Sequence, residues 1–169
     1  MLFRSIATTG TAANSSVDTG PDGTDINPDS VFNWTSPTGT RENFEQLDRS
    51  FRSAILKMAR DYKAKTGKKI TIASAYRGPA DQERLYNTWI AAGGNIPGKL
   101  TAAGITTPAK PVSMGGKVNA HGAGVAIDAG QQAAEINSVL NLTEYGLKWG
   151  GLFSKPDPVH IQLASFVPK

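Results

Sequence analysis

The feature that most constrains the fold is an amphipathic segment, RENFEQLDRSFRSAILKMARDYKAKTG, at positions 41–67. Its apolar side chains recur every three or four residues, at Phe44, Leu47, Phe51, Ile55, Met58 and Tyr62. This spacing places them on one face of an α-helix. Thr40 is suited to cap the helix and Gly67 to end it. Because an amphipathic helix needs a core to pack against, the segment predicts a globular domain.

The residues after this helix show both strand and helix patterns. KKITIASAY predicts a half-buried strand, and GPADQERLYNTWIAAGG predicts a helix that begins near Pro79 and closes at Gly93 and Gly94. Further along, GVAIDA predicts a strand, QQAAEINSVL a helix, TEYGLKWGG a turn or helical stub, and PVHIQLA a final strand. Since these elements do not alternate strictly as βαβ units, we expect a small single α+β domain with a central antiparallel sheet flanked by helices.

Length and composition are typical of one soluble globular domain. The chain has 169 residues, of which 39% are hydrophobic and 19% charged, which suffices for one core and not for two ordinary domains. No apolar run reaches the length of a membrane span. The net charge of +4 comes without a basic patch interleaved with aromatic residues, so nucleic acid is not an expected partner. The absence of cysteine leaves His, Asp and Glu to build any metal site.

The first forty residues differ in composition from the rest. The stretch TTGTAANSSVDTGPDGTDINPDS lacks helical or strand periodicity, which predicts an N-terminal arm at 1–40 ahead of a domain at 41–169. We expect this arm to dock onto its own domain or onto neighbouring subunits of an assembly such as a virion. The first residues, MLFRSIATTGTAANSS, contain one Arg and short apolar patches, so no secretory signal is expected. Residues 95–120 form a long connection suited to a binding loop or lid.

Each of the two histidines of the chain stands near an aspartate in a strand context. In VNAHGAGVAIDAG, residues 118–130, alternation places Asp128 on the face that carries Gly124 and Ala126, which leaves space around the carboxylate. In the last strand, His160 points away from the apolar face and follows Asp157 by three residues. Both patterns predict functional rather than core side chains.

These residue types suit a hydrolytic zinc site. His121, Asp128 and His160 would supply three protein ligands and leave one position to water. Asp157 could accept a proton, and Arg77 at a strand end could stabilise an oxyanion or bind a carboxylate. Spacing alone favours a metal site and the lack of one equally, because a single histidine or arginine usually has no such role.

Three ordered blocks resemble the LAS metallopeptidases. HGAGVAID fits the pattern His-x-x-Gly-x-Ala-x-Asp, and DPVH fits the acidic-x-x-His element that follows it. SAYRGPADQERLY is similar to the Ser-x-Tyr-Arg segment and its Gln-x-x-Leu-Tyr continuation. KWGGLFSKPDPVHIQ is similar to the Trp-Gly-rich approach to the final His-x-Gln of the phage-type members. The resemblance covers roughly residues 45–165, and three blocks in order are more specific than one motif.

This family comprises zinc D-alanyl-D-alanine carboxypeptidases, VanX-like and VanY-like enzymes, and phage L-alanyl-D-glutamate endopeptidases. The resemblance implies that His121, Asp128 and His160 bind zinc. It implies that Asp157 is the general base and that Arg77 stabilises substrate or transition state. It also implies an α+β fold with a central antiparallel sheet, a bacterial peptidoglycan stem peptide as substrate, and substrate-binding roles for Arg77, Gln82, Asn119 and Gln162.

Three positions depart from the family pattern without removing a ligand. Asn119 and Gly78 stand where Ser is common, and Asp157 replaces the commoner Glu. We therefore expect a zinc peptidase of the cell wall, either an L-alanyl-D-glutamate endopeptidase or a D,D-carboxypeptidase or endopeptidase. Without a signal peptide, it would reach the wall through lysis machinery or as a virion component. The alternative is a structural or attachment component of a phage tail or other assembly that uses the peptidase fold for binding.

Overall fold

The computed structural model describes residues 18–19, 25–96, 99–102, 104–105 and 107–169. Within these ranges the strands are β1 (Asp18–Thr19), β2 (Asp25–Ile26), β3 (Phe32–Trp34), β4 (Ile70–Ile72), β5 (Ala126–Asp128), β6 (Leu147–Trp149) and β7 (His160–Leu163). The α-helices are α1 (Pro28–Val31), α2 (Arg41–Glu45), α3 (Arg49–Thr66), α4 (Pro79–Ala91) and α5 (Gln132–Val139). Short 3-10 helices span Val112–Met114, Leu142–Tyr145 and Gly150–Leu152.

The central sheet is antiparallel and carries the two strands that hold the candidate site. Its order is β5-β7-β6, with β7 in the middle. β3 and β4 form a separate parallel pair, and a backbone bridge between Ser74 and Asp128 connects the end of β4 to β5. This arrangement confirms the predicted small α+β domain with an antiparallel sheet. The parallel pair was not predicted, because β3 falls in the segment that the composition assigns to an arm.

The segment at 41–67 forms two helices instead of the single predicted helix. Thr40 caps the first helix and Gly67, at φ 73°, ends the second, both as predicted. The helix is interrupted where Asp48 adopts a non-helical conformation and its side chain accepts a hydrogen bond from the backbone N–H of Phe51. The apolar spacing continues through the break, so periodicity alone does not reveal it.

The break between α2 and α3 is where the loop before β5 packs. The backbone N–H of Asp48 donates to the carbonyl oxygen of Gly124 at 2.9 Å. Gly124 has φ +74°, and a Cβ on it would lie 3.1 Å from the Asp48 nitrogen. Both the conformation and the close approach therefore disfavour a side chain here. The interruption anchors the loop that also contains His121.

The structure corrects the prediction that residues 25–40 lie outside the core. Ile26, Val31 and Phe32 are buried among the core residues, and Phe32 is aligned with Ile70 in the parallel β3–β4 pair. The composition of the segment concealed these apolar positions because polar and turn residues surround them. Residues 1–17 and 20–24 lie outside the described residues, so the arm and the domain division remain predictions there.

Replacing Phe32 by Ala is expected to lower the free energy of unfolding by about 3–5 kcal/mol, as truncation of a buried aromatic side chain usually does. Phe32 is 2% exposed, and its ring centroid lies 5.3 Å from that of Phe44. Asn33→Ala, at an exposed position of the same strand, is the matched control and should change stability by less than about 0.5 kcal/mol. Urea unfolding followed by circular dichroism measures both. Equal stabilities would show that β3 does not belong to the cooperative domain.

The remaining elements largely follow the sequence pattern. α4 begins at Pro79, and Gly93 follows it with φ 83°. The stretch TEYGLKWGG, predicted as a turn or stub, contains a 3-10 helix and also strand β6, which was not predicted. β6 has only three residues, too few for alternation to identify it. No helix in the described part of the chain combines the length and apolarity that crossing a membrane requires.

Candidate metal centre

Two strands and one loop bring the predicted ligands together. Asp128 at the end of β5 is aligned with His160 at the start of β7, and His121 lies in the turn before β5. One oxygen of Asp128, Oδ1, lies 3.2 Å from Nε2 of His121 and 3.1 Å from Nδ1 of His160. The three atoms lie within 4.8 Å of one another. The geometry is such that these three residues could hold a metal ion.

The outer nitrogen of each histidine faces a hydrogen-bond acceptor. Nδ1 of His121 lies 2.8 Å from the carbonyl oxygen of Ala75, and Nε2 of His160 lies 2.9 Å from Oε1 of Gln162. In the neutral form of each imidazole, the ring proton is therefore assigned to this outer nitrogen, whereas the protonated form also donates to Asp128. The inner nitrogens then present lone pairs to the carboxylate of Asp128. Three acceptors that face one another repel unless a proton or a metal cation lies between them, and with neutral imidazoles this donor set fits a metal ion.

Burial and charge in the cluster suit a carboxylate that binds a metal in its ionised form. Burial alone would raise the pKa of Asp128, but the hydrogen bonds and charges of the two histidines hold it well below its usual range. Burial alone would lower the pKa of His160, but its hydrogen bond to Asp128 raises it overall. Both histidine side chains are almost completely buried, whereas Asp128 is partly open to the cleft. A metal ion here would be reached from one side.

Arg77 contacts the cluster from the loop between β4 and α4, five residues beyond the end of the strand. Its guanidinium lies 3.4 Å from Oδ2 of Asp128 and donates hydrogen bonds of 3.1 Å to the hydroxyl of Ser74 and to Oε1 of Gln82. Burial lowers the pKa of Arg77, but a guanidinium stays charged at neutral pH. Gln82 in turn donates to the carbonyl oxygen of Ala109 at 2.6 Å. These contacts fix the position of a positive charge beside the candidate ligands.

Asp157 approaches the same cluster from the cleft. Its Oδ2 lies 3.9 Å from Nδ1 of His160, and its side chain is half exposed. Burial and the negative charge of Asp128 raise the pKa of Asp157 above the usual aspartate value. Its carboxylate does not belong to the three-ligand group. This position suits a group that accepts a proton from a reactant bound at the cluster.

The cluster lies in a cleft of about 670 Å³. Arg77, Asp157 and Asn119 line this cleft together with the three candidate ligands, and Gln162 lines it as well. Gln82 lines only a smaller neighbouring pocket. The contacts of Gln82 and Gln162 orient Arg77 and His160, respectively, while Asn119 accepts a hydrogen bond from the backbone of Gly122. The substrate-binding roles of these side chains remain predictions.

Two contributors to the site escaped the sequence prediction. Ser74 accepts a backbone hydrogen bond of 2.8 Å from Asp128, and its hydroxyl accepts one from Arg77. Gly150 packs directly against the segment that carries Asp157: a Cβ on Gly150 would lie 2.4 Å from the carbonyl oxygen of Asp157 and 3.0 Å from Cβ of His160. The signals for both were present, as the Ser of SAYR and the first Gly of KWGG.

The fold is similar to that of a solved structure, whereas the two sequence-based comparisons found no match. No family model matches the chain, and no curated protein matches it. Among solved structures, the fold is similar to the Serratia marcescens L-Ala D-Glu endopeptidase ChiX, with 15% sequence identity and a TM-score of 0.43. The similarity covers 73% of this chain and 84% of that one. At this level the function has to be argued from the site itself.

Proposed function

We propose that this protein is a zinc-dependent hydrolase that cleaves an amide bond in the peptide stem of bacterial peptidoglycan. The observation that carries the proposal is the set of inward-facing acceptor atoms on His121, Asp128 and His160. Each histidine is oriented by an acceptor on its outer nitrogen, which is how proteins usually prepare histidines for a metal. The arrangement of Arg77 and Asp157 beside this group adds the charges that amide hydrolysis requires.

The residues present fit zinc, with His121, Asp128 and His160 as its ligands. Two imidazoles and one carboxylate match the three protein ligands of catalytic zinc sites, and the cleft leaves an open side. Zinc bound in such a site lowers the pKa of water and polarises a carbonyl group. The same donor set also suits Fe(II), so metal analysis has to include iron.

The remaining chemistry belongs to side chains of this chain. Asp157, open to the cleft and close to His160, is placed to take a proton from the attacking water and to return it to the leaving amine. Arg77 is held by Ser74 and Gln82, so its charge is fixed before substrate binds. A fixed positive charge stabilises the oxyanion that develops on the scissile carbonyl.

The substrate class is supported by the sequence blocks described above. HGAGVAID, DPVH and SAYRGPADQERLY occur in the order typical of the LAS metallopeptidases, and the residues they supply meet in one cleft. We propose either the L-alanyl-D-glutamate bond or a D,D-bond of the stem peptide as the target. Action on the bacterial cell wall follows from that substrate, and delivery as a phage lysin or virion component is part of the proposal.

Chelation is the direct test. Treatment with a chelator is expected to abolish the release of peptide fragments from purified peptidoglycan, and added Zn²⁺ should restore it, because activation of water and polarisation of the scissile carbonyl both depend on the proposed metal. Mass spectrometry of the products identifies the bond that is cut, and elemental analysis identifies the metal. A protein that binds no metal and leaves peptidoglycan intact would refute the hydrolase and favour the attachment role.

A further inference from the structure

A lysine on the central sheet faces the cleft beside the candidate metal centre. Lys148 on β6 lies directly opposite Gln162 on β7. Directly opposed residues share a face of a sheet, and so do residues two apart along a strand. Lys148 therefore lies on the face that carries Gln162 and His160. It is also one of the residues that line the cleft.

The ammonium of Lys148 is held close to the reacting centre by an aromatic ring. Its Nζ lies 5.4 Å from the ring centroid of Phe153, which is a cation–π distance. The ring of Phe153 in turn lies 5.9 Å from that of His160, edge to face. These two distances place the ammonium within about 11 Å of the imidazole. An extended peptide spans roughly 3.3–3.6 Å per residue, so this is a reach of one to three residues.

The ammonium of Lys148 has no ion-pair partner among the residues that the structure describes. Arg77, in contrast, is paired with Asp128. Lys155 also lines the cleft and is exposed. A half-buried, unpaired ammonium on a partly apolar wall favours an anionic group in the space beside it.

We propose that Lys148 binds a carboxylate of the substrate, and that the cleft selects acidic peptides in which this carboxylate lies within three residues of the scissile bond. The inference rests on the proposed function and adds a specificity residue to it. In a stem peptide the carboxylate has two sources, the α-carboxyl group of the γ-linked D-glutamate and the chain terminus.

The test uses N-acetyl-L-Ala-γ-D-Glu-L-Lys-D-Ala-D-Ala and two amides of it, one at the D-glutamate α-carboxyl group and one at the C-terminus. For the zinc-loaded protein, kcat/KM should fall about tenfold on one of the two amidations, because a charge-assisted contact is lost. The ratio of kcat/KM for the parent peptide to kcat/KM for that amide should therefore be about ten in the unmodified protein. In Lys148→Met this ratio should fall to near one, and Lys148→Arg should keep most of it. Lys57→Met, on α3 and outside the cleft lining, should retain the wild-type ratio.

Binding of the same peptides to the metal-free protein separates the two proposals. Isothermal titration calorimetry in the presence of a chelator should show tighter binding of the parent peptide than of the same amide. This difference in Kd should disappear in Lys148→Met. Preferential binding without cleavage would overturn the hydrolase and sustain the carboxylate site. Cleavage with ratios that are unaffected by Lys148→Met would overturn the carboxylate site and sustain the hydrolase. Absence of both binding and cleavage would overturn both.

Discussion

Replacing Asp157 by Asn is expected to lower kcat on purified peptidoglycan by about 100- to 10,000-fold, the usual contribution of a general base. The amide keeps the shape of the carboxylate but does not accept a proton at neutral pH. Zinc content should remain at the wild-type stoichiometry, because Asp157 stands outside the three-ligand group and its Oδ2 is 3.9 Å from Nδ1 of His160. Quantifying the released peptide fragments over time gives kcat, and elemental analysis gives the zinc content.

The matched control for this variant is Asp81→Asn. Asp81 is exposed on α4 and pairs with Arg84, away from the lining of the cleft. Its replacement should change kcat by less than about twofold, since an exposed ion pair contributes little even to stability. If Asp157→Asn loses its zinc, Asp157 is a ligand and the proton acceptor has to be sought elsewhere in the cleft.

Replacing His121 by Ala is expected to remove stoichiometric zinc and to reduce hydrolysis to the uncatalysed background. Two ligands remain after this change, and the lone pair that faced Asp128 Oδ1 at 3.2 Å is gone. The expected loss exceeds that for Asp157, because both the metal and the geometry that depends on it disappear. Equilibrium dialysis against buffered Zn²⁺ measures the affinity, and circular dichroism checks that the fold persists.

A graded variant distinguishes a ligand from its support. Gln162→Leu removes the acceptor from Nε2 of His160 but leaves the ligand atom in place. Loss of such an orienting hydrogen bond typically lowers metal affinity about 10- to 100-fold. The variant should therefore bind zinc weakly and recover activity at high Zn²⁺, which His121→Ala should not do. Equal behaviour of the two variants would contradict the distinction between ligand and support.

The sequence was most informative where a periodicity or a motif is local. Alternation in GVAIDA and PVHIQLA predicted that Asp128 and His160 each point away from the apolar face of their own strand, and the structure aligns the two residues in neighbouring strands. The helices at 41–67 and 79–91 followed from apolar spacing and from the glycines after them. Whether the predicted site residues perform their roles awaits the experiments above.

The features that the sequence did not predict depend on contacts between distant segments. At the break before α3, the Asp48 cap is a local signal, but the hydrogen bond between Asp48 and Gly124 is not encoded by any local pattern. Strand β3 was hidden because Phe32 becomes a core residue only through its pairing with β4. The ammonium of Lys148 faces the cleft only because β6 lies next to β7. Each of these features needs the tertiary fold to exist.

The two histidines differ in how easily a mutation elsewhere could remove the hydrogen bond that orients them. His121 is oriented by the backbone carbonyl of Ala75, which every amino acid supplies, so no single substitution at position 75 deletes that acceptor. His160 is oriented by the side chain of Gln162, which most substitutions would remove. Genetic drift can therefore weaken the site through position 162 while both histidines persist, and a copy of this chain with both histidines intact need not be an active one.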